Sequence, residues 1–305
     1  MTATMKKKRR FFDQGVQAIS RLKGAQEGCY VCPICEKTFS VSALESCVLT
    51  LEHVPQKFRR GRPIILTCKD CNSVAGHKLD SEVFNREELR KFSSALVGGI
   101  DQYDGLVKFQ GGGETVNAIV TISGGLNRLE LPKKHNDPNA AGQLNSYFER
   151  LAREGKGDGE EFTITPPMKP NLRLSKVGDL RMAYLAAFAL LGYTYVLDSR
   201  LILIRRQLRE PETEVVQGFW TSVGKGQPKQ DGIGLLQEPI TALYVQLGYA
   251  FVILPWLEGP SNPYSVLMAD YKQNQKMSFK GKPLPWPKGS EFLLDFRPSP
   301  NSNSG

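Results

Sequence analysis

The chain has 305 residues, of which 40% are apolar, and a formal net charge of +9 at pH 7. This length allows two domains, and the apolar content is typical of a folded protein rather than a disordered one. The excess of basic residues favours a polyanionic partner. The charged N-terminus lacks the apolar core of a signal peptide, and no apolar stretch reaches the ~20 residues of a membrane span. We therefore expect a cytoplasmic protein with no membrane contact.

The N-terminal segment, residues 1–28, is basic and contains five consecutive cations from Lys6 to Arg10. A run of like charges is typical either of a solvated tail or of an arm that follows nucleic-acid phosphates. The sequence leaves both interpretations open.

Residues 29–90 contain two Cys-x-x-Cys pairs, Cys32 with Cys35 and Cys68 with Cys71. Two such pairs supply the four thiolates of a tetrahedral structural zinc site. The 32 residues between the pairs exceed the ~15–20 of a simple zinc ribbon. The sequence therefore predicts a Zn²⁺ site with a hairpin inserted between its two halves.

The two other cysteines are treated differently. Cys29 could replace Cys32 as a ligand, but its spacing from Cys35 is unusual for a zinc-binding turn. Cys47 is expected to be a small buried apolar residue. The alternatives to zinc are disulfides or unrelated free thiols, and the expected reducing compartment disfavours disulfides.

The inserted segment predicts a strand over residues 47–54 that Pro55 ends, and a second strand over residues 64–67. A helix is expected from Asn72 to Phe84, because apolar residues recur at helical spacing. Asn72 could also cap the start of that helix, while Asp80 is expected on its surface. This order predicts a ββα-metal arrangement.

These residues resemble the HNH endonuclease family, in its zinc-containing Glu-His and Cys-x-x-Cys-Asn form. The resemblance rests on Glu-His-Val-Pro at residues 52–55 and Cys-x-x-Cys-Asn…Gly…Asp at residues 68–80. It implies that His53 is the general base and that Glu52 and Asn72 hold a catalytic Mg²⁺ or Mn²⁺. The Asn that orients the base in the family has no counterpart here, so a backbone carbonyl is expected to orient His53.

The chemistry of phosphodiester hydrolysis requires the same residue types. Histidine is the natural base near neutral pH, and a carboxylate and an amide oxygen suit a hard divalent cation. Adjacent strand residues point to opposite faces, so Glu52 and His53 converge only if the strand ends or bulges between them. His77 lies about 140° around the helix from Asn72, which places it away from such a cation.

Four basic residues lie in the predicted turn between the two strands, and we expect them to contact backbone phosphates. They are Lys57, Arg59, Arg60 and Arg62. Residues 1–90 contain 16 Lys and Arg against 10 Asp and Glu, whereas residues 91–305 contain 24 against 21. The basic character is therefore concentrated in the smaller segment.

Residues 91–305 are predicted to form an uncharacterised α+β domain that ends in a mobile C-terminal tail. The expected elements are strands near residues 106–109, 118–122, 129–131 and 242–256, helices over 144–152 and 177–195, and a linker over 154–160. The helix over 177–195 is expected to be the core of this second domain. Many proteins of the resembling type carry a similar helix, here at residues 181–192, although that likeness is looser.

The fold class predicted overall is α+β, with a small zinc-stabilised ββα-metal domain followed by a larger mixed domain. The predicted function is that of a hydrolase, an HNH-type endonuclease that is metal-dependent and acts on DNA in preference to RNA. Two alternatives remain open. One is an RNA nuclease with the same site, and the other is a zinc-stabilised nucleic-acid-binding protein without catalysis.

Overall fold

The computed structural model describes residues 2–22, 24, 26–99, 101–155, 161–216, 221–223, 229–274 and 277–296. The helices are α1 (Ala3–Ile19), α2 (Ser42–Glu45), α3 (Lys69–Ala75), α4 (Ser81–Leu96), α5 (Pro138–Glu154), α6 (Leu172–Leu191), α7 (Tyr193–Val196), α8 (Ile202–Arg209) and α9 (Pro263–Asn274). The strands are β1 (Tyr30–Val31), β2 (Thr38–Phe39), β3 (Leu49–Val54), β4 (Arg62–Cys68), β5 (Tyr103–Gly111), β6 (Glu114–Ile122), β7 (Leu126–Glu130), β8 (Thr163–Thr165), β9 (Thr221–Val223), β10 (Gly232–Glu238), β11 (Ala242–Leu247), β12 (Ala250–Pro255) and β13 (Lys280–Leu284). The predicted mixed α+β class is confirmed.

Contacts divide the chain into two compact units, residues 1–83 with 172–305, and residues 84–171. This division differs from the predicted boundaries after residues 28 and 90. The reason is that α1 and α6 share one apolar core with the cysteine-bearing segment. Residues far apart in sequence therefore complete the core that the short segment around the cysteines cannot build alone.

Among its described residues, the first unit contains three antiparallel sheets. Two are the hairpins β1–β2 and β3–β4, and the third has the strand order β13-β10-β11-β12-β9. Every residue from 177 to 191 of α6 is buried, and α6 contacts β3, β4, β11 and β12. The predicted core helix is confirmed, but it belongs to the core that also holds the cysteines.

The N-terminal basic run lies within a helix rather than a tail. Thr2 caps α1 by accepting a hydrogen bond from the Met5 N–H at 3.3 Å. Phe11 and Phe12 are buried, and Ala18 and Ile19 continue the apolar face one to two turns later. Burial of this face ties the first residues of the chain to β1 and β4.

The second unit, residues 84–171, is a four-stranded antiparallel sheet of order β7-β6-β5-β8 with α5 packed against β6. The predicted strands and the predicted helix are present. Gly112 and Gly113 turn the chain between β5 and β6 with positive φ, and Gly124 and Gly125 do so between β6 and β7. Its separate core consists of side chains from α4, α5 and these strands.

The described C-terminal residues 277–296 include a segment that packs against α6 and α7. Phe292 is fully buried, and the Asp295 carboxylate accepts hydrogen bonds from the N–H groups of Tyr193 at 2.7 Å and Thr194 at 2.8 Å. Part of the predicted linker, residues 156–160, and the end of the predicted mobile tail, residues 297–305, lie outside the described residues. Docking of Phe292 and Asp295 is a contact between distant residues that composition did not indicate.

None of the helices described has both the length and the apolar character needed to cross a bilayer. The 20-residue helix α6 is mostly apolar but carries Asp179 and Arg181 at its centre. Both side chains are buried in ion pairs with other parts of the first unit.

Candidate metal centre and nucleic-acid interface

The four predicted zinc ligands lie together. The Sγ atoms of Cys32, Cys35, Cys68 and Cys71 are all within 4.8 Å of one another, and those of Cys35 and Cys68 are 3.6 Å apart. Tetrahedral zinc with Zn–S bonds of ~2.3 Å requires sulfur atoms ~3.8 Å apart. The cluster therefore fits one zinc ion, as the cysteine spacing predicted.

Two backbone turns position these thiols. In the turn from β1 to β2, the Cys32 N–H donates to the Lys37 carbonyl at 2.9 Å and the Glu36 N–H donates to the Cys32 carbonyl at 2.9 Å. The second pair lies where β4 ends and α3 begins, and there the Lys69 N–H donates to the Val48 carbonyl at 2.7 Å. The β3–β4 hairpin is inserted between the two turns, as predicted.

The remaining cysteines lie outside the cluster, and all six are free thiols. Cys29 does not replace Cys32. Cys47 is exposed and has a left-handed φ of 55°, so the prediction that it is buried was wrong. Its position in the turn between α2 and β3 directs the side chain to solvent.

The β3–β4 hairpin contains the predicted irregularity. Glu52 pairs with Ile65, but the register then shifts so that His53 pairs with Pro63. A bulge interrupts the strict alternation of strand side chains and redirects them. His53 is half-exposed, and its ring has no hydrogen-bond partner among the described residues. The backbone carbonyl expected to orient it is therefore missing.

Glu52 lies in a buried ion pair with Arg181 of α6. The Arg181 Nη1 and Nη2 atoms donate to Oε1 at 3.1 Å and Oε2 at 2.7 Å, and Thr67 Oγ1 donates to Oε2 at 2.9 Å. The two charged side chains are 6% and 2% exposed. Burial lowers the pKa of Arg181, but the charge and hydrogen bonds of Glu52 outweigh it, so the pKa is raised.

This pairing bears on the expected role of Glu52 as a cation ligand. An ionised carboxylate offers about four lone-pair positions, and the Arg181 and Thr67 donors occupy three of them. A cation would have to share Oε1 with the guanidinium or displace it. In this structure Glu52 joins β3 to α6.

Asn72 lies in α3, but it does not cap that helix, because the N-cap is Cys68. Its Nδ2 group donates to Thr50 Oγ1 of β3 at 2.9 Å. This bond fixes the side-chain amide of Asn72 and leaves its Oδ1 atom without a donor among the described residues. His77 lies on the π-helical turn Gly76–Asp80 and is exposed.

The four basic residues predicted to contact phosphates separate into two groups. Lys57, Arg60 and Arg62 are exposed. Arg59 is not, because its Nη1 atom contacts Asp179 Oδ1 at 3.0 Å, and the two side chains are 8% and 0% exposed. The assignment of Arg59 to phosphate binding is therefore corrected, since it pairs with α6 instead.

Asp80 also differs from its predicted surface position. It is half-buried, and its Oδ1 atom is buried with no hydrogen-bond partner in the part of the chain that the structure describes. Burial is the main cause of the raised pKa of this carboxyl, and the nearby charge of Arg181 opposes it. Asp80 therefore belongs to the polar layer between the hairpin and α6.

Sequence reasoning missed the role of α6 in this layer. Asp179 pairs with Arg59, and Arg181 pairs with Glu52. The Tyr184 hydroxyl donates a hydrogen bond to the Pro33 carbonyl at 2.6 Å. Burial raises the pKa of the Tyr184 hydroxyl, which keeps it a neutral donor. The available signal was the motif at residues 181–192, which contains both Arg181 and Tyr184.

No family model matches the chain, and neither a curated protein nor a solved structure matches it. The resemblance to HNH endonucleases therefore rests on the residues at positions 52–55 and 68–80. The ββα-metal assignment and the nuclease activity are proposals, and their support lies in the geometry described above.

Proposed function

We propose that this chain is a metal-dependent endonuclease that hydrolyses phosphodiester bonds, acting on DNA in preference to RNA. The observation that carries the proposal is the position of His53, half-exposed at the bulge of a hairpin that leads into the four-cysteine cluster. A general base must reach both water and substrate. A histidine ring at the surface, free of bonds to the described residues, meets that requirement.

Asn72 fits the proposed cation site well. Its amide is held by Thr50, and its carbonyl oxygen is the type of ligand that Mg²⁺ or Mn²⁺ takes. Glu52 fits as a second ligand only if Arg181 shares or releases one carboxylate oxygen. When bound, the cation would stabilise the charge that develops on the phosphate and the leaving oxygen.

The protein side of the reaction follows from three groups. The neutral His53 imidazole accepts a proton from the attacking water through a ring nitrogen. Lys57, Arg60 and Arg62 hold the phosphates on either side of the cleaved bond, without reading sequence. The four cysteines fix the start of α3 against the turn between β1 and β2, and the bond to Thr50 keeps Asn72 beside β3.

A second candidate is a zinc-stabilised nucleic-acid-binding protein without catalysis. The buried pair of Glu52 with Arg181 favours it, because that carboxylate already has a cationic partner. The absence, among the described residues, of a group that orients the His53 ring favours it too. RNA cleavage by the same site is a variant of the first candidate and is distinguished by substrate alone.

The test is cleavage of supercoiled plasmid and of a structured RNA by the zinc-loaded full chain. EDTA would also remove the zinc, so the requirement for Mg²⁺ or Mn²⁺ is tested by omission and re-addition after gel filtration. We expect cation-dependent nicking of the plasmid. His77→Ala is the matched control for His53→Ala, because both alter half-exposed or exposed histidines of the first unit. Tight binding with no cleavage of either substrate would favour the non-catalytic candidate.

A further inference from the structure

The N-terminal helix α1 is fixed beside the hairpin that carries His53. The buried apolar face of α1 is one attachment. A second is Lys8, whose Nζ donates a hydrogen bond to the Leu49 carbonyl of β3 at 3.0 Å. Contacts of α1 with β4 complete the attachment. The position of its outer cations is therefore set by the fold.

Three of these cations form a cluster on α1, in which Lys7 and Arg10 lie over the Phe11 ring, 5.8 and 5.1 Å from its centroid. Lys6, Lys7 and Arg10 line an open hollow of about 390 Å³, and none of them makes an ion pair with a carboxylate among the described residues. Arg9 differs, because it pairs with Asp13 at 2.9 Å. Like charges three and four residues apart on a helix repel one another, so the cluster is unfavourable without an anionic partner.

The cluster lies near β4, the strand that begins at Arg62 and that α1 contacts. Burial lowers the pKa of Lys7, and the positive charges of Arg10 and Arg62 lower it further. Arg62 pairs with Val54 at the start of β4, next to the pairing of His53 with Pro63. The cluster on α1 therefore lies close to Arg62, at the start of the strand β4 that α1 contacts.

The distribution of charge over the chain agrees with this location. The residues of the first unit include 29 Lys and Arg against 19 Asp and Glu, whereas those of the second include 11 against 12. The entire positive excess of the protein belongs to the unit that carries α1 and the hairpin. A polyanion is thus attracted to this unit and not to residues 84–171.

We propose that Lys6, Lys7 and Arg10 continue the Arg62 surface as one phosphate-binding track, which holds a nucleic-acid backbone beside His53. This inference rests on the proposed function for the role of His53, but the track itself requires only binding. Its contacts are to phosphates, so it adds affinity and not sequence specificity.

The experiment is a salt titration of binding to a fluorescein-labelled DNA duplex, with the full zinc-loaded chain carrying His53→Ala to prevent cleavage. The test variant adds Lys6→Gln, Lys7→Gln and Arg10→Gln. The control adds Lys108→Gln, Lys133→Gln and Lys134→Gln, which remove the same charge from the second unit. Each phosphate contact contributes about 0.9 to the slope of log K against log salt concentration. We expect the magnitude of this negative slope to be smaller by roughly 2 to 3 in the test variant.

Several results would overturn the track: an unchanged slope in the test variant, an equal loss in the control, or no DNA binding by the parent protein. If the triple variant unfolds, Arg10→Gln alone keeps the test valid. We expect this single change to make the slope less steep by about 0.9. Preferred binding to anionic phospholipid vesicles would also overturn it. Cleavage is assayed separately with wild-type protein. If the triple variant leaves the salt dependence unchanged but the wild-type protein cleaves DNA, the track alone is rejected. A slope change without any cleavage rejects the nuclease alone.

Discussion

The ion pair that joins the hairpin to α6 gives a quantitative test of the fold. Glu52→Gln keeps the side-chain shape but leaves the Arg181 guanidinium, 2% exposed, without its counter-charge. Removing one partner of a buried pair costs about 3–5 kcal/mol. Arg181→Met should cost somewhat less, because the remaining carboxyl can take up a proton and become neutral.

The double variant decides whether the two side chains act together. With both charges removed, no unpaired buried charge remains. The double variant should therefore lose less free energy of unfolding than the two single variants together, by about 0.5–3 kcal/mol. Urea unfolding at fixed zinc concentration measures these values. Residues 84–171 contain no tryptophan, so tryptophan fluorescence does not report on the second unit.

An exposed pair provides the matched control. Asp13→Asn breaks the contact with Arg9, whose side chain is 52% exposed, and should cost no more than about 1 kcal/mol. Additive losses at Glu52 and Arg181, within about 0.5 kcal/mol, would refute the reasoning. A loss for Glu52→Gln as small as that of Asp13→Asn would refute the burial of the pair.

Zinc analysis of the purified chain should find one zinc per molecule, and Cys68→Ser should lose the metal and unfold the first unit, because structural zinc supplies folding energy. Cys47→Ser should retain zinc, and its loss of metal in parallel with Cys68→Ser would contradict the ligand assignment. Gly192→Ala should destabilise the protein by about 2–5 kcal/mol, because φ is 90° and the added Cβ would lie 2.0 Å from Asp295 Oδ2. Gly76→Ala, at a helical position where the added Cβ would meet no described atom within 4 Å apart from its chain neighbours and its own helix backbone, should be neutral or stabilising by up to about 1 kcal/mol. Equal melting temperatures for the two alanine variants would show that residue 192 tolerates a side chain.

The local pattern of the sequence was enough to predict the cysteine cluster, the inserted hairpin and the bulge at Glu52. Each of these depends on residue types within a few positions of one another, such as Cys-x-x-Cys or a strand that ends at Pro55. The partners of Glu52 and Arg59 could not be found this way, because Arg181 and Asp179 lie 129 and 120 residues further along the chain.

The same limit explains why the helix at the N-terminus and the burial of Asp80 were not predicted. The consecutive cations left a tail or a phosphate-binding arm open, and the apolar residues that follow them become buried only because β1 and β4 are available to pack against. Asp80 follows a helical surface pattern, yet α6 covers that surface. Burial of polar residues by distant elements is therefore what the sequence alone left undetermined.

The most direct test of the proposed activity is the single-turnover rate of plasmid nicking with protein in excess, for wild type beside His53→Ala and His77→Ala. Excess protein removes differences in affinity, so the rate reports on chemistry. We expect His53→Ala to be slower by about 10²–10⁴-fold, the usual contribution of a general base, and His77→Ala to match wild type. Equal rates for wild type and His53→Ala would contradict the assignment of His53 as the base.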